Sequence, residues 1–95
     1  MTIDRLIEEV KAAIGIVSDD TDIDNQIRIR IYAVIQYINR GGANLNIETL
    51  TEYEIFCIAR GVDDMLNQNG NYSEGFVAMA SQIQLGGQAD EQEQK

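Results

Sequence analysis

The run Ile27-Arg28-Ile29-Arg30-Ile31 constrains the fold of this chain more than any other segment, because it admits two secondary structures with opposite consequences. Taken alone, it alternates apolar and polar residues and is rich in β-branched side chains, the pattern of a half-buried strand. Over a longer window, Ile23, Ile27, Ile31, Val34, Ile35 and Ile38 fall at i, i+4, i+8, i+11, i+12 and i+15, a continuous helical stripe of about four turns. The longer pattern decides for a helix. An acidic first turn (Asp20, Asp22, Asp24), Arg40 in the last turn and a Gly41-Gly42 stop agree with the helix dipole and with helix capping.

A helix turns each residue by about 100°, so Ile29 points roughly 200° away from Ile27 and cannot join the same core. With Ala33 and Tyr37 it forms a second, smaller apolar strip, flanked by Arg28, Arg30 and Tyr32. That composition suits either a protein–protein contact or a second layer of the same core.

The segments on either side follow the same helical rule. Ile3, Leu6, Ile7, Val10, Ala13 and Ile14 make one apolar face, opposite Asp4, Arg5, Glu8, Glu9 and Lys11. Thr2 as N-cap and Gly15 as a left-handed stop predict a helix from Thr2 to Ile14. Thr51-Glu52-Tyr53-Glu54 is a capping box, and Ile55, Ile58, Ala59, Val62, Met65 and Leu66 supply the buried face of a helix over 51–68 that stops at Asn69-Gly70. Asn71, with Glu74 three residues later, opens a last helix whose apolar positions are Phe76, Val77, Met79, Ala80 and Ile83.

From Gly86 the sequence GGQADEQEQK has one alanine as its only hydrophobic residue, which cannot offset the entropy of ordering it. The expected architecture is all-α: a small four-helix bundle over residues 1–85 and a disordered acidic tail over 86–95. Ninety-five residues leave room for one core. No apolar stretch is long enough to span a membrane, and the acidic N-terminal segment does not read as a signal peptide.

Charge and composition narrow the function. Sixteen acidic residues against seven basic give a net charge of -9, the wrong sign for general affinity to phosphates. The chain has no histidine, which removes Ser-His and Cys-His nucleophile systems and the usual zinc sites. The single cysteine, Cys57, forms no internal disulfide and reads as a small core residue in a reducing cytoplasm. Asp20-Thr21-Asp22-Ile23-Asp24-Asn25 imitates the start of a calcium loop, but the sixth position is Asn25 and the twelfth is Ile31, where glycine and a bidentate glutamate belong. It reads instead as an acidic helix start. Asp63-Asp64 reads as a solvated helix face. Neither an enzyme nor a cofactor is expected, and Tyr53 and Phe56 on the third helix offer a further contact surface.

The order of these elements suggests a family. An amphipathic start ending in Lys11-Ala12-Ala13-Ile14-Gly15-Ile16, an acidic turn, a long helix ending in Tyr37-Ile38-Asn39-Arg40, a third helix, and then Asn69-Gly70-Asn71-Tyr72-Ser73-Glu74-Gly75 resembles the small head–tail connector proteins of tailed bacteriophages, over residues 1 to 85. The chain lacks the proline expected between the second and third helices. The resemblance implies a head completion or adaptor protein that is made in the bacterial host cytoplasm and resides at the head–tail junction of the virion. Family members assemble as a ring, typically of twelve subunits, beneath the portal protein and present a docking surface to the next connector or tail component. DNA passes through such a ring without specific binding, and a member can be monomeric before it joins the particle. The expected interface comprises Arg28, Ile29, Arg30, Tyr32, Ala33, Tyr37, Tyr53 and Phe56. The rivals are an acidic DNA-mimic inhibitor of a DNA-binding enzyme and a carboxylate-based metal enzyme.

Overall fold

The computed structural model describes residues 1–67 and 71–93, with side chains described as far as Gly86. It contains four α-helices and no strand among the described residues: α1 (Ile3–Ile14), α2 (Thr21–Arg40), α3 (Glu52–Asn67) and α4 (Glu74–Glu93). A single 3-10 turn, Ile47–Thr49, interrupts the α2–α3 connection. The Asn69-Gly70 stop lies outside the described residues, as do the side chains of the acidic tail beyond Gly86.

Local chemistry sets the helix ends. Thr2 accepts the Arg5 N–H, and Gly15 takes the left-handed conformation (φ 80°) that ends α1. Thr51 and Glu54 form the reciprocal capping box, with N···O distances of 3.2 and 2.8 Å. At the end of α2 the positive φ falls on Gly42 (111°) rather than on Gly41. Beside Gly41, the flexible end of the Gln84 side chain reaches over from α4 and donates to the Ile38 carbonyl at 3.2 Å.

Helix α3 is central and packs against each of the other three, while α2 also meets α1 and α4. The core is built from Leu6, Val10, Ile27, Ile31, Val34, Ile38, Ile58, Val62 and Phe76, all fully buried. The alternating run at residues 27–31 is therefore helical, with Ile27 and Ile31 inside and Ile29 outside. Three neighbours bury a wider arc of α3 than one stripe: Cys57, Gly61 and Asp64 are buried with Ile58, Ala59 and Val62. Leu66 and Val77, expected on buried faces, are exposed because the packed arcs of α3 and α4 turn away from them.

Three further expectations are corrected. Lys11, placed on the polar face of α1, is only 4% exposed. Asp64, placed on a solvated face, is 3% exposed. The start of α4 lies two residues later than Asn71, because the Ser73 hydroxyl, not the Asn71 side chain, accepts the Phe76 N–H at 3.2 Å.

Candidate interaction surface

The chemically loaded residues of this chain divide into those used inside the subunit and those left facing out. The buried ionic groups are fully used. Lys11 Nζ donates to Asp24 Oδ1 at 2.8 Å, to the Ser18 carbonyl and to Glu8 Oε1 at 3.5 Å, so its three donors have three acceptors. The hydrogen bond to Asp24 holds the ammonium above the usual lysine value of 10.5, against the opposing effect of burial. Asp64 Oδ2 accepts from the Ser73 N–H at 2.9 Å and from the Ser73 hydroxyl at 2.6 Å, which locks the first turn of α4 onto α3. Asp20 accepts the Asp22 N–H at 2.8 Å, so the acidic cluster serves the start of α2. Cys57 is fully buried, and desolvation, followed by the nearby Glu54 charge, pushes its thiol from 9.0 up to about 11. A thiol held protonated at neutral pH is a poor nucleophile.

The outward residues of the expected interface lie on two helices, and Val77 and Leu85 of α4 are exposed as well. On α2, Ile29 is 65% exposed with exposed Arg28 and half-buried Arg30 beside it; Tyr32 is exposed and Ala33 half-buried. Arg30 Nη1 donates to the Gln26 carbonyl of its own helix at 3.1 Å. Tyr37 continues the same side of α2 but leans toward α4, its ring centroid 4.7 Å from that of Tyr72 and 5.7 Å from that of Phe76. Burial, and then Tyr37 itself, push the Tyr72 phenol upward. The α2 strip is thus open at Ile29 and partly closed at Tyr37.

On α3, Tyr53, Phe56 and Arg60 fall at i, i+3 and i+7, one face of the helix, and all three are exposed. Phe56, at 56% exposure, forms one wall of a shallow cleft with Ala13 and Ile14 of α1 and with Ala59, Arg60 and Asp63 of α3. Sequence periodicity did not signal the α1 half of that cleft, which depends on how the end of α1 crosses α3. Val17, in the α1–α2 loop, is 99% exposed and is another apolar side chain outside every helical stripe.

Among the described residues, no group of three or more histidine, cysteine, aspartate or glutamate side chains is arranged to hold a metal ion, and no helix is long and apolar enough to cross a membrane. No family model, curated protein or solved structure matches this chain.

Proposed function

We propose that this chain is a non-catalytic structural adaptor of the phage head–tail connector kind, which assembles as a ring against the portal protein and joins the capsid to the tail or the next connector. One observation carries the reading. Two uncovered apolar patches lie on different helices, Ile29 with Tyr32 on α2 and Tyr53 with Phe56 on α3. A ring requires head-to-tail contact, in which two unlike patches of each subunit meet; a single self-complementary patch yields only a two-fold pair.

The net charge of -9 supports passage of DNA through such a ring, since an acidic wall repels phosphates. The placement of the acids favours an adaptor over a DNA mimic, which needs carboxylates in a dense outward row. Here Asp20 accepts the Asp22 N–H and Glu54 the Thr51 N–H at helix starts, Asp24 pairs with Lys11, and Asp64 is buried under α4.

The test is direct. The purified chain is mixed with the portal protein encoded in the same genome, and the complex is imaged by electron microscopy. A ring of this chain seated on the portal is expected. A portal that stays bare at saturating chain concentration overturns the assignment.

A further inference from the structure

Cations are scarce in this chain, and their distribution is uneven. Arg5 pairs with Glu9, Lys11 with Glu8 and Asp24, and Arg60 lies 3.8 Å from Asp64. Arg28, Arg30 and Arg40 have no carboxylate partner among the described residues, and all three are on α2. Two of them flank Ile29, the most exposed large hydrophobic residue among the described helical positions. In a chain with more than twice as many acids as bases, unpaired arginines bracketing an exposed isoleucine leave the central part of α2 cationic and apolar.

The α3 patch has the opposite character. Phe56 is bracketed on its helix by Glu52 four residues before and Asp63 seven residues after, and neither acid has an ion-pair partner among the described residues. Asp63 accepts only from the Asn67 amide of its own helix, at 2.6 Å. The one cation in this patch, Arg60, is drawn toward the buried carboxylate of Asp64.

We infer that the α2 patch of one copy (Arg28, Ile29, Arg30) binds the α3 patch of a second copy (Glu52, Phe56, Asp63), with isoleucine against phenylalanine and arginines against the flanking acids. This rests on the adaptor reading, whose own test is docking on the portal, and it names the two surfaces by which copies of this chain meet. Such a contact is head-to-tail, because a pair joined by it keeps one free patch of each kind, one on either copy. Pairing of α2 with α2 about Ile29 brings like-charged arginines together, and like charges across an interface are strongly disfavoured.

Charge reversal on each side separates the possibilities. One variant carries Arg28→Glu and Arg30→Glu, and the other carries Glu52→Arg and Asp63→Arg. All four side chains lie outside the core, and circular dichroism confirms the fold of each variant before use. Self-association is measured by sedimentation velocity from micromolar to millimolar chain, at low salt. Each variant alone presents two like-charged patches and should associate at least about tenfold more weakly than the wild type. An equimolar mixture should regain wild-type association, because every alternating contact then joins opposite charges.

A Glu52/Asp63 variant that associates normally by itself points to α2 pairing with α2, and a normally associating Arg28/Arg30 variant points to α3 pairing with α3. Either result overturns the inference. Failure of the mixture to recover also overturns it. A wild-type chain that binds the portal yet never self-associates ends the inference and leaves the adaptor reading in place, whereas a chain that does neither ends both.

Discussion

Lys11 Nζ lies 2.8 Å from Asp24 Oδ1, so the last turns of α1 are tied to the first turn of α2 through a lysine that is almost wholly enclosed. The same ammonium holds the intervening loop by donating to the Ser18 carbonyl. Removing one partner of an enclosed pair strands the other, whereas replacing both with apolar groups leaves no orphan charge. Lys11→Met and Asp24→Leu are each expected to lower the urea midpoint, Asp24→Leu the more, because it strands the enclosed ammonium, whereas Lys11→Met leaves a carboxylate that is a third exposed. The double variant Lys11→Met/Asp24→Leu should recover part of the loss. A double-mutant cycle in urea measures this, and strictly additive losses would contradict the clamp.

Asp64 does for α4 what Asp24 does for α1. Its carboxylate takes both the amide and the hydroxyl of Ser73, and the same hydroxyl receives the Phe76 N–H. Asp64→Ala leaves these buried donors unmatched and should cost about 2–4 kcal/mol by urea denaturation. Asp64→Asn keeps an acceptor oxygen and should cost less. Phe76 belongs to the core, so the loss should come with weaker near-ultraviolet signals from the Tyr37–Tyr72–Phe76 cluster.

The contrast between these ion pairs and the helix ends shows which parts of the fold were legible in sequence. Thr2, Gly15 and the Thr51–Glu54 box act within a few residues of themselves, and the α2 stripe is a pattern along one helix, so all could be read directly. Burial of Lys11 and Asp64 is decided by what crosses over them. Their positions did carry a signal: Lys11 lies four residues after Ile7 and three before Ile14, and Asp64 three after Gly61, each at the margin of a packed arc. The α4 start was misplaced because Asn71 and Glu74 have capping-box spacing, while the group that completes the Ser73 cap comes from another helix. Ile29, Tyr53 and Phe56 were legible as residues outside the main stripes, but the partial cover of Tyr37 by α4 depends on tertiary packing.

Close packing at Gly61 gives a case where two effects oppose each other. Alanine in place of glycine favours an isolated helix by about 1 kcal/mol. A Cβ at Gly61 would sit 2.6 Å from Phe76 Cε1 and 2.9 Å from Val34 Cγ1, where α2, α3 and α4 converge. Overpacking of this kind costs about 1–3 kcal/mol, and both neighbours are fully buried with little room to yield. Gly61→Ala should therefore be destabilising on balance. Gly86→Ala, with open space around it, should not lower stability. A thermal melt of the two variants side by side checks the sign.

The Cys57 thiol makes stability fall in alkali. Its folded value, about 11, lies above the ordinary 9.0, so the unfolded chain releases this proton first. The contribution is complete below pH 9, declines as pH rises, and is gone above about 11; a two-unit difference is worth about 2–3 kcal/mol. Lys11 and Tyr72 are also raised and act in the same direction, so the comparison must be with a variant. Cys57→Ala should be less stable at pH 7 because it leaves a cavity, yet its urea midpoint should fall less steeply than that of the wild type between pH 9 and 11. Equal slopes would mean that the thiol is solvated in the folded chain.

Ile29→Asp separates surface from core on α2. Ile29 is mostly exposed, so an aspartate there meets water and loses only some helix propensity, and stability should change by less than about 1 kcal/mol. Ile27→Asp and Ile31→Asp place the same carboxylate in fully buried positions without a partner, and each should unfold the chain. Circular dichroism should show full helix content for the first variant and loss for the other two. Self-association should follow a different order: Ile29→Asp should abolish it in a folded protein, because the substitution puts an acid at the centre of a patch whose apolar contact is lost. A folded Ile29→Asp chain that assembles like the wild type would remove α2 from the interface, and an unfolded one would place Ile29 in the core.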